Sequence, residues 1–469
     1  LSGEHGDGRL RGEFIRQMIG ENNYRLLKEV KKAFDPNNIF NPNKIVDTPS
    51  MNTMLRYTPG QQTPPFKTIF RFHNQDVLQH AEQCNGSGDC RKTELSGGTM
   101  CPSYMATRNE KDTTRARANI LREFLTNSSK LNRFDHQEIK DVMDLCLSCK
   151  GCKSECPSNV DVAKLKAEFL QHYYDANGVP FRSRLIANFN QTARLGSFLP
   201  AFFNFMMTNP TIGKLVKRAS GFAEQRSMPT LYKTTLRKWF SAHSRKASGR
   251  PPSRRVYLFC DEFTNYNDVE VGIKAILLLE KLGYEVVIPR HEESGRAWLS
   301  KGLLRSAKKI ANSNISLLKD LITDETPLVG IEPSAILTFR DEYIDLADDE
   351  NFDAAKKLSA NVFMIEEFLA SEEAKGNIGR DQFAREKRSI KLHGHCQQKA
   401  LSSVNIAAKV LSIPENFSVD VIPSGCCGMA GSFGYEKEHY DISMKIGELV
   451  LLPAVRMQVE GVLIAAAGT

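Results

Sequence analysis

Cys146, Cys149, Cys152 and Cys156, the last followed by Pro157, form a C-x2-C-x2-C-x3-C-P run. Thiolates at steps of three wrap a tight loop around one face of an iron–sulfur cubane, and the fourth cysteine serves a neighbouring cluster. Zinc favours two separated C-x-x-C pairs that close a tetrahedron. The spacing therefore predicts iron–sulfur chemistry, which is one-electron transfer. A partner motif lies upstream at Cys84, Cys90 and Cys101-Pro102. Ser87 stands where its second cysteine would fall, and the loop before Cys101 is lengthened. The cross-over rule assigns Cys146, Cys149, Cys152 and Cys101 to a complete [4Fe–4S] set. Cys84, Cys90 and Cys156 remain for a second cluster, which is [3Fe–4S] or a [4Fe–4S] centre completed by another ligand. Structural thiols are the alternative for Cys84 and Cys90. Arg115, Arg117 and Arg122 read as solvated helix surface.

A second group of thiols is Cys396 with the adjacent pair Cys426 and Cys427, followed by Gly428. Glycine gives the turn the freedom to aim both sulfurs. An internal repeat brings them together. Strand–Cys260–helix–strand–Ile288–Pro289 matches strand–Cys396–helix–strand–Ile422–Pro423. Glu292, Glu293 and Ser294 then fall where Cys426, Cys427 and Gly428 stand. The first copy keeps only Cys260, either as a ligand or as a buried strand thiol, so one occupied site is predicted. His393 and His395 read as structural. Ala335 lies two residues past the point matched by Thr469, so a fourth ligand is expected just beyond the second copy's last residue.

The opening GEHGDG sets Glu4 and His5 in a glycine-rich turn. Histidine is the natural proton acceptor near neutral pH, and a glutamate can hold a divalent ion. A simple loop accounts for the string equally well.

These residues need elements to position them. The chain has 469 residues, enough for two to four domains. Apolar residues make up 41% and charged residues 25%, which excludes disorder and collagen-like repeats. No apolar run is long enough to span a membrane. Seven of the eleven cysteines lie between Cys84 and Cys156, a pattern of metal binding in a reducing compartment. Charged residues near the start argue against a signal peptide. The chain opens on Leu1 with no initiator Met and stops after a strand-like run, so it looks cut at both ends.

Helical periodicity runs through Phe14, Met18, Leu26, Leu27, Val30 and Phe34, and Asp35-Pro36 and Asn41-Pro42 punctuate it. Residues 48–70 form a proline-bearing linker. Residues 71–178 carry short helices, with Asp112 and Asp161 as caps and Gly178 as a stop. Residues 179–255 are a helical connector. From Thr211 to Arg255 it holds twelve Lys/Arg against Glu224 alone. From residue 256, the runs VYLFC, YEVVI, PLVGI, NVFMI, IKLHG, VDVI and GVLIAAA alternate with helices, which predicts a mostly parallel sheet.

The order of these pieces resembles a known family architecture. GEHGDG followed by FDPNNIFNPNKI resembles the C-terminal end of FAD-linked oxidases of the D-lactate, glycolate and D-2-hydroxyglutarate dehydrogenase class. CNGSGDC, TMCPSY and CLSCKGCKSECP resemble the helical ferredoxin domain found in the iron–sulfur component of glycerol-3-phosphate dehydrogenase. HGHC and SGCCGMAGSFGYEKEHY resemble the cysteine-rich CCG domain of heterodisulfide reductase and of the iron–sulfur components of glycolate oxidase. The resemblance implies an α/β plus α fold: an oxidase tail (1–47), a linker (48–70), a two-cluster helical ferredoxin domain (71–178), a basic connector (179–255), a degenerate first CCG repeat (256–389) and a second repeat (390–469). It implies Glu4 as a metal-ligand glutamate and His5 as the base that takes the substrate's hydroxyl proton, with Gly3, Gly6, Gly8 and Asn41 at the cofactor. Where the family has HGHCH, this chain has Gln397 after Cys396.

The implied function is the electron-exit part of a flavin-dependent D-2-hydroxy-acid dehydrogenase. FAD and substrate would be held by an N-terminal domain outside this chain, so this fragment alone is expected to be inactive. Electrons would pass through the clusters, with a third centre a further candidate at Cys396, Cys426 and Cys427, to a quinone, a cytochrome or another acceptor. The implied location is cytoplasmic, with a peripheral position at the inner face of the membrane as a variant. For the basic segment, packing on the protein's own domains is the favoured reading over lipid contact. An iron–sulfur nucleic-acid-binding protein and a zinc-bound structural module are the alternatives. The segment carries no recognised nucleic-acid reader motif, and no nucleic-acid partner is expected.

Overall fold

A computed structural model describes residues 5–55, 60–62, 64–244 and 254–468. The chain divides into two units, residues 1–64 and 65–469.

In the first unit, α1 (Ile15–Ile19) and α2 (Glu21–Phe34) follow the predicted periodicity. The Asp35 carboxylate accepts the N–H groups of Ile39 and Phe40, at 2.8 and 2.9 Å, and turns the chain out of α2. The apolar stripe of α2 is not buried: Leu26, Val30 and Phe34 are exposed.

The second unit begins with six helices: α3 (Val77–Glu82), α4 (Pro102–Thr107), α5 (Thr114–Asn127), α6 (Gln137–Asp144), α7 (Gly151–Glu155) and α8 (Val162–Asn177). Asp161 caps α8 by accepting the Lys164 N–H, and Gly178, at φ 76°, ends it as predicted. The cap of α5 is Thr113 and not Asp112. Asp112 closes the preceding 3-10 turn, and its carboxylate instead accepts the Thr107 hydroxyl at 2.7 Å. Leu121, Leu125, Ile139, Met143, Leu165 and Phe169 fill the space between the helices.

All seven predicted strands form. They are β1 (Arg254–Phe259), β2 (Tyr284–Val287), β3 (Leu328–Gly330), β4 (Val362–Met364), β5 (Arg388–His393), β6 (Phe417–Val421) and β7 (Val462–Ala466). Every pairing among them is parallel, but they make two sheets, ordered β2-β1-β3-β4 and β6-β5-β7. β1 and β5 are thus equivalent centres, each flanked by the strand before the Ile-Pro turn and by a later strand.

Side chains alternate across β1, as strand geometry requires. Val256 and Leu258 pack with Ile276 and Leu279 of the helix Val269–Lys281. Tyr257 and Phe259 share a core with Ala307 and Ile315 of the helix Leu304–Leu318 and with Leu165 and Phe169 of α8. The helical layer and the first sheet therefore have one common core. The second sheet is more open, with Val421, Leu463 and Ile464 exposed. The architecture is a mixed α/β plus α fold with small parallel sheets.

The connector splits into two faces. Phe189, Ala193 and Phe203 pack inward on Leu231 and Tyr266. Ala223 donates its N–H to the Tyr435 carbonyl at 2.7 Å, and Arg226 donates to the Gly434 carbonyl and the Ser443 hydroxyl. Arg182 pairs with Glu436 and Glu438. Part of the basic charge is thus spent against the second repeat.

Candidate metal centres

The loop from Cys146 to Cys152 passes through left-handed conformations at Ser148 (φ 54°) and Lys150 (φ 62°). That coiling brings three cysteines to one cavity. Cys101, which precedes α4 with Pro102 in its first position, completes the lining. Thr114, Arg117 and Val162 also line it. The Val162 N–H donates to the Cys152 sulfur at 3.4 Å, and Thr114 Oγ1 lies 3.1 Å from the Cys101 sulfur. Burial and neighbouring thiols hold Cys149 and Cys152 well above the usual thiol range, and burial pushes Cys101 up to about 11. Four thiols crowded around one cavity, two of them buried and two half-buried, with N–H donors aimed at sulfur, fit a metal cluster that takes them as thiolates. They do not fit four independent core residues.

Lys150 sits within this loop and is fully buried. Its ammonium pairs with Asp341, with Glu342 at 3.0 Å and with Asp161 at 3.6 Å. Lys164 joins Asp341 at 2.6 Å and Asp345 at 2.5 Å, and Lys153 also reaches Asp341. Burial alone would lower the Lys150 ammonium's proton affinity, but these carboxylates override it and hold Lys150 charged. The network ties the cysteine loop to the first α/β repeat.

Cys84 and Cys90 are both buried. The Arg115 N–H donates to the Cys90 sulfur at 3.4 Å, and burial raises the Cys90 thiol. Ser87 is exposed and donates its hydroxyl to Asp89 at 2.7 Å. Cys156 closes the C-terminal end of α7 at the edge of the same core.

Cys396, Cys426 and Cys427 do converge. Cys396 opens the helix Cys396–Leu401 beyond the end of β5. Contact with Cys396 pushes the Cys426 thiol up, and contact with Cys426 pushes Cys427 up to about 12. Gly428 is required where it stands: its φ is 84°, and a Cβ there would lie 2.1 Å from the Ser443 carbonyl oxygen. A Cβ on Gly425 would meet the Gly98 carbonyl oxygen at 2.7 Å, so the cysteine pair rests directly on the helical layer. Cys426 shares an apolar cluster with Leu147 and Cys149, and the Cys426 thiol helps to raise that of Cys149. Gln397 donates its side-chain N–H to the Ser148 carbonyl at 3.2 Å, across the same junction. The thiol triad and the four-cysteine cavity are therefore neighbours.

Both histidines have local partners. His393 Nδ1 meets the Ser424 hydroxyl at 2.6 Å, and His395 caps the Cys396 helix by accepting the Gln397 N–H at 3.1 Å. Cys260 lies away from the rim. It packs among Val256, Leu258 and Ile276, its thiol donates to Asn265 Oδ1 at 3.6 Å, and burial pushes it up to about 12.

In the first unit, the Ile45 N–H donates to the Gly8 carbonyl at 2.9 Å, which brings the Asn41–Ile45 loop onto the glycine-rich turn. Gly8 (φ 55°) and Asn41 (φ 46°) are both left-handed. His5 and Gly6 are exposed, and Arg11 donates to both their carbonyls. Gly3 and Glu4 lie outside the described residues.

Several site residues were not legible from spacing. Arg117 is 1% exposed, not solvated helix surface as its charge suggested, and it donates to the Cys101 sulfur at 3.8 Å. Lys399 donates to the carbonyls of Ser424 and Gly425 and faces all three rim thiols. Among the described residues, Glu436, Glu438 and His439 also have ligand-type atoms within 4.8 Å of one another. Arg182 and Lys301 already pair with those carboxylates, so the group is a structural ion network.

Residues 1–45 match the family described as FAD linked oxidases, C-terminal domain, and residues 83–161 match the 4Fe-4S dicluster domain. D-2-hydroxyglutarate dehydrogenase of Escherichia coli (strain K12) is 28% identical, covering 96% of this chain and 47% of that protein. D-2-hydroxyglutarate dehydrogenase of Pantoea ananatis is 26% identical, covering 97% of this chain and 48% of that protein. Lactate utilization protein A of Macrococcus caseolyticus is 27% identical over 42% of this chain and 77% of that protein. No solved structure matches the chain. The chain spans about half the length of the D-2-hydroxyglutarate dehydrogenases it matches. It joins a tail homologous to FAD-linked oxidases to a 4Fe–4S dicluster domain, in a chain similar along nearly its whole length to those dehydrogenases.

Proposed function

We propose that this chain is the electron-exit portion of a flavin-dependent D-2-hydroxy-acid dehydrogenase of the D-lactate, glycolate or D-2-hydroxyglutarate class. The observation that carries the proposal is the abutment of the Cys149 loop on Cys426. Cys101, Cys146, Cys149 and Cys152 would hold a [4Fe–4S] cluster; Cys84, Cys90 and Cys156 a second cluster, [3Fe–4S] or [4Fe–4S]; and Cys396, Cys426 and Cys427 a third centre. Such clusters accept and release single electrons, whereas flavin takes a pair as hydride.

The chain's own residues supply the route. At the junction Cys426 is buried, and Cys149 and Cys396 pack half-buried against it with Leu147, Phe433 and Ile446. Backbone N–H groups of Arg115 and Val162 donate to ligand sulfur, and Arg117 and Lys399 place positive charge beside the thiols. Glu4 would hold a metal ion that binds the hydroxy acid, and His5 would take the hydroxyl proton. Gly3, Gly6, Gly8 and Asn41 would let the backbone approach the cofactor. The acceptor would be a quinone or a cytochrome.

The test is anaerobic titration of the full-length protein with D-2-hydroxy acids, read by flavin absorbance and EPR. Flavin bleaching together with iron–sulfur signals is expected. In Cys149→Ala the flavin should still bleach while the four-cysteine signal is lost. Flavin bleaching with no iron–sulfur signal in the unaltered protein would overturn the proposal.

A peripheral membrane position is a second reading. It is favoured by the outward face of the connector, where Phe198, Leu199, Phe202 and Phe205 are exposed and the sequence from 176 to 223 holds no acid. Such a face suits an anionic lipid surface.

A further inference from the structure

We propose that Arg117 is a positioning residue for the four-cysteine centre, holding the Cys101 sulfur and raising that centre's reduction potential. The inference rests on the reading of that cavity as an iron–sulfur site. Arg117 projects from α5 into the cavity and is the largest fully buried side chain among the described residues. All three guanidinium nitrogens are engaged. Nε donates to the Val142 carbonyl at 3.1 Å, Nη2 to the Ser103 hydroxyl at 3.1 Å, and Nη1 to the Cys101 sulfur at 3.8 Å. The planar fork is pinned at two corners, so the third cannot turn away from the sulfur.

The charge balance gives the same direction. A buried cation is costly unless it meets an anion. The buried Asp112 carboxylate is a counter-ion at 4.0 Å through Oδ1, while its other oxygen accepts from Thr107. The neighbouring cations are committed elsewhere. Lys150 is spent on Asp341, Glu342 and Asp161, and Lys166 donates to the carbonyls of Asp144 and Cys146. Besides Asp112, the group that Arg117 reaches is the Cys101 sulfur, at 3.8 Å, which a cluster would hold as a thiolate. Reduction adds one electron to that site and no proton, so its negative charge grows. A fixed cation donating to a ligand sulfur stabilises the reduced form and raises the potential. The centre so tuned is the one that abuts Cys426.

The experiment is an EPR-monitored redox titration of the full-length protein with Arg117→Lys, Arg117→Gln and Arg117→Met. In Arg117→Met the four-cysteine midpoint should fall. The ratio of reduced to oxidised centre at a fixed ambient potential should drop about tenfold, which is about 59 mV for one electron. Arg117→Lys keeps the charge but loses the fork, so it should shift less. The three-cysteine midpoint should stay in place. An unchanged four-cysteine midpoint in any variant that lacks the cation and retains its iron overturns the inference, as does an equal shift at both centres. If Gln and Met both lose iron, the Lys variant decides: a lowered midpoint supports the inference and an unchanged one overturns it. An unaltered protein without iron and sulfide would instead overturn the reading of the cavity as a cluster site.

Discussion

Glu262 occupies in the first α/β repeat the place that Cys396 occupies in the second. Each is the first residue of the helix that follows the central strand. The residue before each is a cap: Asp261 accepts the Phe263 N–H at 2.9 Å, and His395 accepts the Gln397 N–H at 3.1 Å. Sequence matching pairs Cys396 with Cys260, because both are cysteines after a strand. The helix starts show that Cys260 stands two residues too early. Glu262 accepts from the Ser294 N–H at 2.8 Å and the Ser294 hydroxyl at 2.6 Å. Where one repeat gathers thiols, the other has closed the same rim with a carboxylate and its donors.

Glu262→Ala should therefore be a stability change. It orphans the buried Ser294 donors and should cost about 2 to 3 kcal/mol, measured by urea denaturation. The iron–sulfur spectrum should not move. Cys396→Ser should do the reverse, altering the third-centre signal with a smaller effect on stability.

Lys150→Met should be severe. Asp341 keeps Lys153 and Lys164, and Glu342 keeps Arg296, but the buried Asp161 loses its ion pair, a loss of about 3 to 5 kcal/mol. Adding Asp161→Asn, which can still cap α8, should recover part of that loss. A double variant no more stable than Lys150→Met would mean that the pairing is not the source of the effect.

His80 gives a pH dependence. It is buried, its Nε2 accepts the Asp161 N–H at 2.9 Å, and burial lowers it to about 4. The unfolded chain binds this proton near pH 6.5 and the folded chain only near 4, so the unfolded state holds more protons between them. Stability should fall as pH drops through that window, by about 3 kcal/mol from this residue. His80→Gln should flatten that part of the curve of unfolding free energy against pH.

The connector's outward face predicts lipid binding. Vesicles with anionic headgroups should retain the full-length protein at low salt, and Phe202→Ser with Phe205→Ser should release it. Equal partitioning with neutral and anionic vesicles would leave this face to be covered by protein, from the same or another chain.

What could be read from the sequence follows its physics. Seven strands were legible because parallel strands leave continuous apolar runs, and α8 because both its cap and its stop are local signals. The cysteine cavity was legible because three of its four cysteines share one short loop. Arg117 was not, since a helix surface arginine and a buried one read alike until the facing layer is known. The Lys150–Asp341 pair joins residues 191 apart in sequence, and no local pattern announces it. The true counterpart of Cys396 was hidden because Glu262 shares its position and not its chemistry.

The central claim is that these cysteines hold iron–sulfur clusters. It is tested most directly by iron, zinc and acid-labile sulfide per chain, with EPR, on anaerobically prepared protein. Iron with sulfide and little zinc is the expected result. Cys149→Ala should remove the four-cysteine signal and Cys84→Ala should affect the other. Stoichiometric zinc with no labile sulfide would contradict the claim.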